Sequence, residues 1–172
     1  MKTAVEGFYS IKPLKLFRKT EGVVFDIIPT DLVAKTSSID RVLHDKNAIS
    51  PGPINGIKRP WYMHFHQQDN LVVLQGHRVV ELFSIELNKK ILFKVYPNKI
   101  LYEDKVILDE GGVLTWEEHI FHRIISGEEG SASLNFAVRS DGFDVKDNFD
   151  IYSLDEQLKT YKPIREGFKD QF

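Results

Sequence analysis

Residues 60–76 read PWYMHFHQQDNLVVLQG, and both the fold and the candidate site turn on this stretch. Side chains on a strand alternate faces, so His64 and His66 are expected to point the same way, with Tyr62 beside them. Trp61, Met63 and Phe65 then take the other face. Bulky apolar groups on one side and imidazoles on the other describe a barrel wall. One face packs on a second sheet or a partner, and the other lines a cavity. Two same-face imidazoles followed by the carboxylate of Asp69 form the first part of a metal site.

The chain on either side of this stretch is β-patterned. Upstream, DKNAISPGPING (45–56) carries the densest cluster of turn formers and is expected to be a loop. Strand candidates precede it at 22–29 and 39–44, and residues 1–21 read as an arm along a sheet edge. Downstream, RVVELFSIEL (78–87) and KILFKVY (90–96) flank an Asn88-Lys89 turn. Short strands are expected near Ile100, at 106–108, and at 113–116 and 121–126 on either side of a bend. GEEG (127–130) reads as a hairpin turn. Beyond it Ala132, Leu134, Phe136 and Val138 alternate with Ser131, Ser133, Asn135 and Arg139. A short helix is expected over 154–161, where Ser153 and Glu156 make a capping-box pattern, followed by a tail that packs outside. Short strands at regular spacing indicate an all-β sandwich or barrel in one domain of 172 residues, with the barrel over 22–153 and a C-terminal extension over 154–172.

Composition removes several function classes. A net charge of -2 gives no general pull toward nucleic acid or anionic membrane, and no helix-turn-helix accompanies the strands. No run of about 18 apolar residues is present, and the N-terminus carries no apolar segment of signal-peptide type. With no cysteine there is neither a disulfide framework nor thiolate chemistry, and a cytoplasmic protein is the expectation.

The 56–76 region resembles the first motif of the cupins, a Gly, then His-x-His, then Glu or Gln, and a closing Gly. Gly56, His64, His66 and Gly76 match it, and Asp69 stands seven residues before the closing Gly, where the family places its acidic ligand. The second cupin motif is kept in part by GGVLTWEEHIFHRIIS (111–126). Gly111 and His122 fall on its Gly and His, while Glu117, His119 and Ser126 replace its Pro, Gly and Asn. The resemblance implies a double-stranded β-helix, or jelly-roll, barrel. It also implies one divalent transition metal (Fe, Mn, Zn, Ni or Cu) on His64, His66, Asp69 and His122. Tyr62 would offer its hydroxyl to the cavity, and His119 would act as a base near the mouth or as a further ligand.

Cupins run very different chemistries on one barrel. The expected function is a metal-dependent enzyme acting on a small molecule, an isomerase or a dioxygenase. Two alternatives stand beside it. One is a metal-free pocket distantly similar to nucleotide-sugar 3,5-epimerases and ketoisomerases, although RPWYMH (59–64) lacks the epimerases' Arg-Gly-Leu-His-x-Gln. The other is a non-catalytic barrel that binds a metal or small ligand. A homodimer is expected, paired through the apolar back of the 61–65 strand and the N-terminal arm.

Overall fold

The computed structural model describes residues 3–170. The strands are β1 (Ala4–Val5), β2 (Tyr9–Pro13), β3 (Lys15–Thr20), β4 (Val23–Ile27), β5 (Ser38–His44), β6 (Ile49–Ser50), β7 (Trp61–Tyr62) and β8 (Gln67–Ser84), with helix α1 (Thr30–Lys35) between β4 and β5. They continue as β9 (Lys89–Tyr96), β10 (Lys99–Tyr102), β11 (Lys105–Leu108), β12 (Gly112–Trp116), β13 (Phe121–Arg139), β14 (Ile151–Asp155) and β15 (Thr160–Arg165).

Two long strands shape the barrel. β8 and β13 pair antiparallel along their length, from Phe83 opposite Phe121 to Gln67 opposite Arg139. Both bend at one corner, where the register shifts between Ser126 and Ser131 opposite Gly76. Each strand therefore serves two sheets. In the first, β2 and β12 lie beside the N-terminal half of β8, and β5 beside the C-terminal half of β13. In the second, β9 and β10 continue from the other half of β8, while β6, β7, β14 and β15 continue from the other half of β13. This is the jelly-roll arrangement. Gly76 has φ +65°, and a Cβ there would sit 2.0 Å from the Gly130 carbonyl oxygen, so the corner closes only around glycine.

The main core fills the space between the sheets. Phe8, Val80, Leu82, Phe93, Val95 and Leu114 are almost completely buried there, each removing apolar area worth about 1.5–3 kcal/mol from water. A second cluster on the outer side of the first sheet joins Leu32 of α1 to Val72, Val113 and Phe136. β14 and β15 cover a third, in which Trp61, Met63, Phe83 and Phe121 pack on Tyr152.

Several expectations are corrected. The 127–130 segment is no hairpin turn: β13 runs through it as a bulge, since the partner strand bends with it. Residues 154–161 do not form a helix. Leu154 pairs with Tyr161 across a turn in which Asp155 Oδ1 accepts the N–H groups of Gln157 and Leu158. The aspartate thus caps a turn, and Tyr161 packs edge-on against Phe121 at 5.1 Å. The N-terminal arm belongs to the barrel through Phe8 and Tyr9, and its remainder forms the separate β3–β4 hairpin. The back of the 61–63 segment is covered by the chain's own β14–β15, which removes it as a dimer surface.

Candidate functional site

The extended run expected through 60–76 breaks at Met63–His66, between β7 and β8. The break is held by backbone hydrogen bonds: His119 N–H donates to the His64 carbonyl at 2.8 Å, and Ser140 N–H to the His66 carbonyl at 3.1 Å. Alternation holds across Tyr62 and His64, which both line the interior cavity, and fails at His66. The His66 ring lies instead in a surface pocket with Phe143 and Asp144, 3.4 Å from Ser140 Oγ. The structure therefore does not bring His66 to His64.

What it does bring together is His64, Asp69 and His122. One ligand atom from each lies within 4.8 Å of the others, and all three residues are buried. Asp69 enters from β8 and His122 from β13, while His64 enters from the break. Asp69 Oδ2 is 3.2 Å from His64 Nε2 and 3.9 Å from His122 Nε2. Asp69 Oδ1 accepts hydrogen bonds from Gln67 Nε2 at 2.8 Å and Asn135 Nδ2 at 2.6 Å, which fix the carboxylate plane. Burial alone would raise the Asp69 pKa. The two imidazoles and the Asn135 amide outweigh it and hold the carboxyl well below its ordinary range. His122 is lowered to about 4, first by burial and then by repulsion from His64, against the pull of Asp69.

The tautomers follow from the outer partners. His64 Nδ1 donates to the Asn148 carbonyl, and His122 Nδ1 to the Ile120 carbonyl at 3.2 Å. Both rings therefore turn Nε2 toward the Asp69 carboxylate. A bare Nε2 facing a carboxylate oxygen is repulsive unless a metal cation or a proton lies between them. Carbonyl-anchored imidazoles are the usual outer support of metal-binding histidines. Donors about 2.1 Å from a shared ion stand about 3.0–3.4 Å apart in octahedral or tetrahedral geometry; the 3.2 Å between His64 and Asp69 falls in that range, and the 3.9 Å between His122 and Asp69 lies outside it. Two imidazoles and a carboxylate are residue types that would suit a divalent transition metal.

The cavity around the cluster measures about 240 Å³. Tyr62 lines it with its ring 5.8 Å from that of His122, and burial raises its phenol pKa so that it keeps its proton. Trp116 lies 5.1 Å from the His122 ring and Phe149 5.7 Å from that of His64. His119 is elsewhere. It is exposed on a separate outer groove with Glu117 and Glu118, its ring 5.5 Å from Phe65. Its φ of +62° shows why: it fills the Gly position of the second motif, and the left-handed backbone turns it away from the cavity. Sequence reasoning missed the support from Gln67 and Asn148. Asn135 was legible on the polar face of its strand, whereas Asn148 lies in a loop with no pattern to mark it.

No protein-family model matches the sequence, and no curated protein matches it at a significant level. Among solved structures the chain is similar to QdtA, a sugar 3,4-ketoisomerase from Thermoanaerobacterium thermosaccharolyticum in complex with TDP, at TM-score 0.56 and 12% identity over 82% of this chain and 85% of that one. The fold is a cupin-like jelly roll. At that identity the likeness speaks to fold alone. Among the described residues no helix is long and apolar enough to cross a membrane.

The buried cluster makes the metal-free protein acid-sensitive. A histidine lowered on folding binds protons more readily when unfolded, so its stabilising effect is complete above about pH 6.5 and lost as pH falls toward 4. For His122 the loss approaches roughly 3 kcal/mol at the acid end. Thermal unfolding of metal-free protein should show the melting temperature falling through this window, with a shallower fall in His122→Gln. Equal slopes in the two proteins would refute the buried neutral imidazole.

Proposed function

We propose that the chain is a small-molecule enzyme of the cupin type, with one divalent transition metal on His64, Asp69 and His122. The observation that carries this is the convergence of three buried donors within 4.8 Å, with both imidazoles anchored through Nδ1. When bound, such a metal polarises a carbonyl or hydroxyl oxygen of the substrate. The chain's own groups do the rest. Trp116 and Phe149 shape the cavity, and the protonated Tyr62 offers a proton at its wall. Isomerisation next to a carbonyl is the reaction proposed for this set: polarising the carbonyl would acidify the neighbouring C–H, its proton passing to solvent water in the cavity, and Tyr62 would return a proton to the rearranged product.

Incubating reconstituted protein with small hydroxyketones in deuterium oxide tests this reading. Deuterium appearing on the carbon beside the carbonyl, and suppressed by a chelator, is the expected result. Exchange that ignores the chelator would favour a second reading, in which the 3.2 Å His64–Asp69 pair moves the proton without a metal, closer to the epimerase-type chemistry. No exchange with any hydroxyketone, alongside oxygen uptake by iron-loaded protein, would favour the oxygenase reading. The cavity of about 240 Å³ lies below the roughly 300–1,000 Å³ of drug-sized sites, which argues for a small substrate over a nucleotide-linked sugar.

The homodimer belongs to the same proposal, on the N-terminal arm and the strand that follows it, without the back of the 61–63 segment. The β3–β4 hairpin exposes Leu16, Phe17, Val23, Val24 and Phe25, each more than half accessible, with the Phe17 and Phe25 rings 5.0 Å apart. Sedimentation equilibrium should give a dimer that Phe17→Asp disperses, and a wild-type monomer would contradict it.

A further inference from the structure

Opposite the histidine cluster, the cavity is lined by a buried arginine with no acid to pair with. Arg78 is only 2% exposed and lines the cavity just past the Gly76 corner. Its Nε donates to Ser131 Oγ and its Nη2 to the Val42 carbonyl, each at 3.0 Å, and both acceptors are neutral. No carboxylate among the described residues comes within 4.0 Å of it. The acids on the same wall are engaged elsewhere. Asp69 holds Gln67, Asn135 and His64, and Asp40 accepts from Ser38 Oγ at 3.0 Å. A buried guanidinium without an anion is costly, and burial lowers the Arg78 pKa only to about 10, so it stays charged at neutral pH.

Two further orphans line the same cavity. Trp116 Nε1, on a residue 4% exposed, is buried with no hydrogen-bond partner, and indole N–H can only donate. His44 Nδ1 is likewise buried and unpartnered. His44 is held neutral, lowered to about 4 by burial and by Arg78, so its ring can offer an N–H beside the arginine. Arg78 and His44 together lack an acceptor carrying negative charge, while the Trp116 indole, 5.1 Å from the His122 ring, belongs to the histidine end.

We propose that Arg78, with His44 beside it, forms an acid-binding end of the cavity, so that the substrate is a small carboxylate. This rests on the proposed enzymatic site, because it places the substrate in that cavity. Along β13, Ser126 opposite Arg78 lies four residues from His122, about 13 Å by strand rise, before either side chain reaches inward. An acid of a few carbons would span the two ends, with its carboxylate on Arg78 and its reactive oxygen at His64, Asp69 and His122. A fixed anchor of this kind orients the substrate and rejects neutral analogues.

Propionate and its neutral isostere propionamide are the probes. The chain has two tryptophans, so ¹⁵N-labelled protein gives two indole resonances, assigned with Trp116→Phe. Propionate should shift the Trp116 resonance saturably and leave that of Trp61 in place, while propionamide should give no saturable shift. Arg78→Gln should weaken propionate about tenfold or more, and Arg78→Lys by less. If Arg78→Gln fails to fold, the lysine variant decides: lost affinity supports the acid end, and wild-type affinity overturns it. No saturable propionate shift in wild-type protein also overturns it. Metal uptake is measured on the same samples. Uptake without propionate binding sinks the acid end and leaves the metal centre standing, whereas propionate binding without uptake supports the acid end and sinks the metal centre.

Discussion

Asp69→Asn is expected to lower the affinity of the chain for a divalent transition metal by on the order of a thousandfold. Losing an outer partner of a metal ligand typically costs 10–100-fold, and in the proposed centre Asp69 is itself a ligand, its Oδ2 3.2 and 3.9 Å from the two imidazole Nε2 atoms. The substitution is nearly isosteric, so Gln67 and Asn135 keep an acceptor at Oδ1 while the charge facing the two Nε2 atoms disappears. Titration with zinc or manganese against a competing chelator measures the effect. An affinity within a few-fold of wild type would show that the carboxylate orients the histidines without binding the ion.

The second large effect is a contrast between two histidines two residues apart. His64→Ala should abolish tight metal binding, whereas His66→Ala should leave it within about twofold, because the His66 ring lies in a different pocket, beside Gly142. His64→Ala also removes the hydrogen bond to the Asn148 carbonyl, so a stability loss of about 1–2 kcal/mol accompanies the lost binding. Equal losses of metal in both variants would mean that the segment is a continuous strand in solution, as its sequence pattern implies.

That pattern misleads at one point for a physical reason. Strand periodicity records which residues face the core when the backbone is extended, and it carries no information on where a backbone hydrogen bond from another segment interrupts the extension. The bonds that His119 and Ser140 donate to the carbonyls of His64 and His66 are such interruptions. Where strands are long and regular the pattern suffices: Ser131, Ser133 and Asn135 do face inward, and Leu134, Phe136 and Val138 do pack outside. The jelly roll was legible from strand spacing and the cupin resemblance. The C-terminal hairpin was not, since Ser153 and Glu156 satisfy a helix-capping pattern that the cross-strand packing of Tyr152 and Tyr161 overrides. Of the site, His64, Asp69, His122 and Tyr62 could be named from sequence. Arg78 read only as part of a strand, because the corner that turns it inward is a tertiary feature.

The most direct test is elemental analysis of protein purified without chelator and then reconstituted, beside His64→Ala, His122→Ala and His66→Ala. About one transition-metal ion per chain in wild type and in His66→Ala, lost in the other two, is the predicted result. Full metal content in His64→Ala and His122→Ala, or none in wild type after reconstitution, would contradict the metal centre.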